Sequence, residues 1–215
     1  MTDARLRASV YVDAFNLYYG TMKGRGPGYK WLDLELLCRR YLPRNDITAI
    51  KYFTALVSAR PNDPQQPARQ QAYLRALATL PTVQVTYGHY LSHAVMARLA
   101  NPQRGANPWV RVLRTEEKGS DVNLASHLLH DAHLDRYDVA VVISNDSDLV
   151  EPIKLVRAEL GKRVGILNPQ KYPSVHLRDH CDFLKQIRPG VVQASQLPEI
   201  VTDNNGAHIQ KPATW

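Results

Sequence analysis

The chain has few cysteines and no long apolar run. Only Cys38 and Cys181 occur among its 215 residues, which excludes a disulfide framework and the CxxC pairs of a zinc site. The longest apolar runs, such as VAVVI at 139–143, are far too short to cross a bilayer, and the first residues lack the apolar core of a secretory signal. We therefore expect two buried thiols, no membrane partner and a cytoplasmic protein.

The sequence also lacks the glycine motifs that bind nucleotide phosphates. Neither GxGxxG nor a P-loop is present, and the first predicted strand runs directly into DAFNLYYG. An acid at the end of that strand repels a pyrophosphate unless a cation lies between them. We therefore predict an acidic, cation-binding site where a dinucleotide-binding protein has its glycine-rich turn.

Positive charge is in excess over the whole chain. Lys and Arg number 27 against 20 Asp and Glu, which gives a net charge of +7 and a pI near 9.5. A basic surface attracts polyanions such as nucleic acids at long range, although charge alone does not identify one. A basic protein that also gathers acids at one place is suited to hold cations between those acids and a phosphate.

Strand-like and helix-like segments alternate along most of the chain. The periodicity of apolar residues predicts strands over 8–13, 47–57, 83–91, 139–144 and 163–167, and helices over 32–41, 68–80, 121–134 and 149–160, before a final helix and strand within 174–187. Pro152 fits only in the first turn of its helix, and Gly161 is placed to end it. Because parallel strands need crossover helices on both faces of a sheet, we predict an α/β fold with a doubly wound, mainly parallel sheet.

Two segments depart from this alternation. We predict a domain over 1–190 with an insertion at about 92–118, which contains a short strand at 109–114, and a C-terminal tail over 191–215. The end of the tail, 202–215, is expected to be disordered or bound to a partner. The insertion carries residues suited to grip phosphates and stack a base of single-stranded RNA, namely Arg98, Arg104, Trp109, Arg111 and Arg114. A solvated loop or a subunit contact explains these residues equally well.

Several acidic residues follow predicted strands or begin a predicted helix. Asp13 ends the first strand, Asp121 lies at the start of a helix, and Asp146 and Asp148 follow the strand 139–144. The carboxyl ends of parallel strands face one crevice, so these acids are expected to meet there despite their distance in sequence. Caps of a strand end or a helix are the structural alternative, but a cap explains only one of the two aspartates in SNDSDL.

Three segments of the chain resemble the signature blocks of a known family. VYVDAFNLYY, KGSDVNLASHLLHDA and VAVVISNDSDLVEPIKLVRAELGKRVGI look like those of the NYN domains, a PIN-like ribonuclease group that includes LabA-type bacterial proteins. The likeness extends from about Val10 to Leu184. It implies a PIN-like, Rossmann-like three-layer α/β/α sandwich and a metal-dependent RNA-cleaving site. The acids that it carries over are Asp13, Asp121, Asp146, Asp148 and, before the last strand, Asp182.

The resulting hypothesis is a ribonuclease that hydrolyses RNA phosphodiester bonds with one or two divalent ions. Asp13, Asp121 and Asp146 would bind Mg²⁺ or Mn²⁺, since hard oxygen ligands suit these metals. Asp148 is assigned a further catalytic role. Asn16 and Ser144 would orient ligands or water beside the RNA, and Lys118 would contact the scissile phosphate.

Two other classes of protein remain open. A regulatory or scaffold NYN protein would keep the fold and act through RNA or protein contacts without turnover. A nucleotide-sugar transferase also uses a DxD motif after a strand, but it does not need the additional acids Asp13 and Asp121.

Histidines and aromatic residues suggest two further features. The segments HLLHDAH and VHLRDH place histidines at helical spacings that zinc ligands can share, although surface positions explain them more simply. Four aromatic residues cluster near the first loop and suit either a homo-oligomer interface or the core, namely Tyr18, Tyr19, Tyr29 and Trp31.

Overall fold

Strands and helices alternate over most of the chain in the computed structural model, which describes residues 5–105 and 107–215. The strands are β1 Arg7–Asp13, β2 Asp46–Thr54, β3 Val83–Tyr87, β4 His89–Arg98, β5 Trp109–Lys118, β6 Val139–Ile143, β7 Arg163–Asn168, β8 Phe183–Gln186, β9 Ile200–Thr202 and β10 His208–Gln210. The α-helices are α1 Ala14–Leu17, α2 Leu34–Tyr41, α3 Gln66–Leu77, α4 Ser120–His133, α5 Val150–Ala158, α6 Val175–His180 and α7 Pro189–Gln193.

The central sheet is parallel and doubly wound, as predicted. Within the described ranges it has six strands in the order β3-β2-β1-β6-β7-β8. The chain runs outward from β1 through β2 to β3, then returns to place β6 on the other side of β1, where Val12 pairs with Ile143. The strand order therefore reverses between β1 and β6, and such a switch point opens a crevice at the carboxyl ends of the strands.

The sheet separates two hydrophobic cores. Val10 and Val12 of β1 face one core, which also contains side chains of α2 and α3, while Tyr11 faces the other, formed with α4, α5 and α6. Successive side chains of a strand point to opposite faces, so a strand that is apolar throughout must be covered on both sides. This arrangement confirms the three-layer α/β/α sandwich.

The helix boundaries agree with the predictions to within a few residues, and one cap differs. Pro152 lies in the first turn of α5, and Gly161 has the left-handed φ of +63° just beyond its end. Ser120, the serine just before the predicted helix 121–134, is already its first helical residue, and the N-cap is Gly119 with a φ of +96°. The carboxylate of Glu117 accepts hydrogen bonds from the Ser120 amide (3.1 Å) and hydroxyl (2.7 Å). The Ser120 hydroxyl is therefore a hydrogen-bond donor to Glu117 and does not cap the helix.

The insertion is an antiparallel hairpin of β4 and β5. Its pairing is continuous from His89 opposite Lys118 to Arg98 opposite Trp109. The predicted strand 83–91 in fact splits at Gly88, where a Cβ would lie 2.5 Å from the Lys118 carbonyl oxygen. The sequence did not predict β4 as a strand of this length because most of its side chains are exposed, so no apolar periodicity marks it.

The tail is ordered, so the prediction of disorder for 202–215 is wrong. β9 and β10 form a small antiparallel hairpin, and Ile209 is 3% exposed. The Trp215 ring lies 5.8 Å from the ring of Trp31 and 6.1 Å from that of Tyr73. Trp31 is fully buried and belongs to the core, whereas Tyr19, from the same predicted aromatic cluster, is 49% exposed.

A buried ion pair joins α4 to the sheet. Asp131, 1% exposed, accepts hydrogen bonds from the ammonium of Lys51 (2.5 Å) and the hydroxyl of Tyr11 (2.8 Å). Arg136 donates to its second oxygen at 3.0 Å. Because Lys51 is itself buried, Asp131 neutralises a charge that has little contact with water.

Both cysteines are free thiols, Cys38 buried and Cys181 half-buried. Among the described residues, no helix has the length and apolar character needed to cross a bilayer.

Candidate active site

Asp13 lies at the carboxyl end of β1 with a buried side chain. Its Oδ1 caps α1 by accepting a hydrogen bond from the Asn16 amide (2.9 Å). Its Oδ2 accepts a hydrogen bond from the Ser144 hydroxyl (2.9 Å). Burial raises the pKa of this carboxyl, and the charge of Asp146 adds to the rise, while the hydrogen bonds oppose it. Asp13 is therefore a helix cap and also an electrostatic neighbour of Asp146.

Ser144 connects these two acids from below the surface. Besides donating to Asp13, its oxygen accepts a hydrogen bond from the Asp146 amide at 3.1 Å. The residue is 0% exposed, so its assignment as an RNA contact is wrong. Its role in the structure is to position Asp13 relative to the turn that carries Asp146.

Asn16 holds the turn after β6 from the other side. Its Oδ1 accepts hydrogen bonds from the Asn145 amide (3.1 Å) and from Nε2 of Gln170 (3.2 Å). The Asp146 carboxylate in turn accepts one from the Asp148 amide (3.0 Å). Asn16 therefore acts on Asp146 through the backbone, and its effect on water or substrate stays a prediction. Gln170 was missed because nothing in its polar segment marks it.

Asp121 is in the first turn of α4 and faces the acids of the strand ends. Its pKa is raised from 3.8 to about 6, first by burial and then by the charges of Asp13, Asp146, Glu117 and Asp148. The side chain is nevertheless exposed. Carboxylates from three separate parts of the chain thus repel one another at one place.

Glu117 was not among the predicted site residues. It adds negative charge near Asp121 while it caps the first turn of α4. An acid three residues before the helix start, in EKGS, is the signal that would have identified it.

The donor set suits a hard divalent cation, although the acids do not form a closed cage. Of the residues in 5–105 and 107–215, no three His, Cys, Asp or Glu side chains lie close enough together to enclose an ion. Mg²⁺ in proteins keeps several waters and often binds through one or two carboxylates plus substrate phosphates, so a closed cage is not required. A cation would also relieve the repulsion that raises the Asp121 pKa.

The cationic residues of the hairpin lie on two different faces. Side chains directly opposite or two residues apart share a face, which places Arg98, Trp109 and Arg111 together. Arg114 lies on the reverse face, where its guanidinium contacts Glu116 at 2.6 Å. The Lys118 ammonium lies 2.9 Å from the same Glu116 carboxylate. Arg104 is in the turn of the hairpin. Contacts of these residues with RNA stay predictions.

Asp182 does not belong to the acid crevice. It precedes β8, whose first residue pairs with Gly165 near the start of β7, so it lies at the opposite edge of the sheet. Arg157 binds its carboxylate with two hydrogen bonds (2.8 and 3.0 Å), and the Val164 amide adds a third. Asp182 is therefore a structural ion-pair partner of Arg157 at the amino ends of the strands, away from the other acids.

Two of the histidine rings, those of His127 and His180, take part in other contacts. His127 lies with Nδ1 3.2 Å from the Lys51 ammonium, a position that disfavours a second cation. Nδ1 of His180 contacts the carbonyl oxygen of His176 at 2.7 Å, an intrahelical contact.

The geometry and the three sequence blocks agree with one family. The model of the NYN domain matches residues 7–187, which is most of the chain. The chain belongs to the NYN domain family. NYN domains are a nuclease-like family with the PIN-like fold. In this NYN domain the acids lie at the carboxyl ends of β1 and β6, between which the strand order reverses.

The chain is similar in sequence to one named protein and in fold to one solved structure. This NYN domain protein is 29% identical to "6-hydroxy-3-succinoylpyridine 3-monooxygenase HspA" of Pseudomonas putida, over 98% of its own length and 75% of the relative's. A crystal structure of a protein of unknown function from Vibrio parahaemolyticus has a TM-score of 0.57 at 16% identity, and the match covers 87% of this chain and 96% of that one. The second likeness supports the fold alone.

The substitution Asp121→Asn is expected to stabilise the metal-free protein slightly. A carboxyl whose folded pKa is raised costs stability once it ionises, so the cost is absent below about pH 4 and complete above about pH 6. Since the side chain is exposed, the increase in the free energy of unfolding at pH 7.5 should stay below about 1 kcal/mol. Urea denaturation of both proteins between pH 4 and pH 8 measures it. A difference that does not grow with pH would contradict the electrostatic origin.

Proposed function

We propose that the protein hydrolyses phosphodiester bonds of RNA with Mg²⁺ or Mn²⁺ bound at Asp13, Asp121 and Asp146, where one or two of these carboxylates would ligate the ion directly and the others would act through bound water. The observation that carries this proposal is the gathering of acids from β1, α4 and the turn after β6 at the strand switch point, where Ser144 links the Asp13 carboxylate to the Asp146 amide and the neighbouring acids help to raise the pKa of Asp121. Maintaining like charges together is unfavourable for folding, and a bound cation with a phosphate substrate offsets it. Membership of a nuclease-like family supports the same reaction.

The residues of the chain have distinct roles in this proposal. When bound, the ion would lower the pKa of a water molecule and stabilise charge on the leaving oxygen. Ser144 and Asn16 keep Asp13 and the Asp146 turn in place through the hydrogen bonds described above. Asp148, exposed at the rim, adds negative charge beside the crevice. Lys118 would leave Glu116 to contact the scissile phosphate.

A screen of purified protein against single-stranded and structured RNA tests the proposal. We expect cleavage with Mg²⁺ or Mn²⁺, loss of cleavage in EDTA and recovery when metal is returned. Binding of metal without turnover of any RNA would instead favour the regulatory or scaffold role. Cleavage that is indifferent to EDTA would contradict the metal-dependent mechanism.

The two faces of the hairpin give a matched pair of variants for RNA binding. Arg111→Gln should weaken binding of single-stranded RNA severalfold and lower the slope of log K against log salt by about 1, because one phosphate contact is lost. Arg114→Gln removes the same charge from the reverse face, where Glu116 already neutralises it, and should change both quantities little. Fluorescence anisotropy over a salt series measures them. Equal effects of the two variants would contradict this assignment of the faces.

The name of the Pseudomonas relative raises a second candidate function, oxygenation of a small pyridine derivative. The observation that favours it is the similarity over 98% of this chain. The test is to incubate the protein with 6-hydroxy-3-succinoylpyridine, oxygen and a reduced nicotinamide cofactor, and to follow the substrate by chromatography. Turnover of this pyridine derivative, without cleavage of RNA, would replace the first proposal.

Cytoplasmic location and homo-oligomerisation also remain predictions, which cell fractionation and light scattering can check.

A further inference from the structure

A cavity of about 180 Å³ lies beside the acid crevice. Ala14 and Phe15, the residues directly after Asp13, form part of its wall. Tyr52 forms another part, and the pKa of its hydroxyl is raised by burial and by the nearby charge of Asp13. A ligand in the cavity would therefore be next to the acids of the candidate active site.

The walls of the cavity are rich in aromatic rings. Phe15 and Tyr90 meet edge to face with ring centroids 6.0 Å apart, and Tyr18 and Tyr19 do so at 5.5 Å. The Trp215 ring from the ordered tail contributes as well. Aromatic faces of this kind stack on planar rings, and stacking is the main way in which proteins hold unpaired bases.

The cavity also carries excess positive charge. Three of its lining residues are cationic (Lys30, Arg60 and Arg69) and one is acidic (Asp63), a difference of +2. Asp63 is already bound to Arg69 at 2.5 Å. Burial and the charge of Arg69 lower the pKa of Lys30. Positive groups placed this way favour a ligand that brings an anion with its ring.

We propose that this cavity binds one unpaired nucleotide of the RNA, with its base against the aromatic side chains and its phosphate directed to the cationic residues. The inference rests on the proposed function, since it assigns the nucleotide next to the bond that is cut. A closed cavity of about 150 Å³ holds benzene, so this cavity of about 180 Å³, which is open to solvent on one side, has room for the ring of one base.

Binding of single nucleotides to the Asp146→Asn protein in EDTA tests the inference without any cleavage. We expect CMP and AMP to bind roughly tenfold more tightly than ribose 5-phosphate, which keeps the phosphate but lacks the base, as measured by calorimetry. Tyr19→Leu removes a half-exposed ring and should weaken CMP binding about fivefold. Arg60→Gln removes an exposed cation of the cavity and should weaken it by up to about fivefold.

Arg44→Gln is the matched control, because Arg44 is also exposed but lies in the loop before β2, outside the cavity. It should leave CMP binding unchanged. Equal affinities for CMP and ribose 5-phosphate, or binding of benzoate and nicotinate but not of CMP, would overturn the inference. CMP binding combined with no RNA cleavage by the natural protein in Mg²⁺ or Mn²⁺ would overturn the proposed function and leave the nucleotide site standing. RNA cleavage by a protein that binds no CMP would do the reverse.

Discussion

Asp146→Asn is expected to lower metal-dependent RNA cleavage by roughly a hundredfold or more while the fold is retained. The amide keeps the oxygen that caps the following turn, because asparagine accepts the hydrogen bond from the Asp148 amide as well as aspartate does. It removes the negative charge that, with Asp13 and Asp121, would hold the cation. Initial rates of cleavage of a labelled RNA, with Mg²⁺ and Mn²⁺, measure the loss.

Asp182→Asn is the matched control for this experiment. It makes the same chemical change in an acid at the opposite edge of the sheet, where Arg157 and the Val164 amide bind the carboxylate. We expect its cleavage rate to stay within about twofold of the natural protein, because surface changes of this kind alter stability more than chemistry. Unchanged cleavage by Asp146→Asn would remove the hydrolase proposal, and circular dichroism of each variant excludes loss of fold as the cause of a decrease.

Asp131→Ala is expected to lower the free energy of unfolding by about 3–5 kcal/mol. The substitution leaves the buried ammonium of Lys51 without its counter-ion and also removes the acceptor for the Tyr11 hydroxyl. A charge kept from water and left unpaired is among the most unfavourable groups in a folded protein. Urea denaturation followed by tryptophan fluorescence measures the change.

Two further variants separate the ion pair from a general effect of lost acids. Asp135→Asn removes a carboxylate that is 69% exposed and bound to Lys162 and Arg7, and should leave the free energy of unfolding almost unchanged, because exposed ion pairs contribute little. Adding Lys51→Met to Asp131→Ala should recover much of the loss, because the unpaired charge is then gone. A cost for Asp131→Ala as small as that for Asp135→Asn would contradict the buried pairing.

The acids of the site illustrate what could be predicted from the sequence. Asp13 ends β1 and Asp146 follows β6, and such mostly apolar strands belong to a parallel sheet whose carboxyl ends lie at the same side. Their meeting therefore follows from chain order and strand direction alone. Asp182 was assigned by resemblance, and it lies at the other edge because it precedes its strand instead of following it.

The hairpin and the tail illustrate what could be predicted only in part. The predicted strand 109–114 lies within β5 and the predicted strand 83–91 includes the start of β4, but the full length of both strands and their pairing were missed, because most of their side chains are exposed and the hairpin is stabilised by backbone pairing. Trp215 is held by Trp31 and Tyr73, residues more than 140 positions away, so its own polar surroundings indicate nothing. The same holds for Ser144, whose serine hydroxyl could equally face solvent.

Local patterns by themselves determined the alternation of strands and helices, the parallel sheet and the aspartates that end its strands, because periodicity and strand direction depend only on neighbouring residues. Only the tertiary structure decided which acids repel one another, that Ser144 is buried beneath them, and that an aromatic, cationic cavity opens beside Asp13. These features depend on distances between segments far apart in the chain, and burial and charge act through such distances.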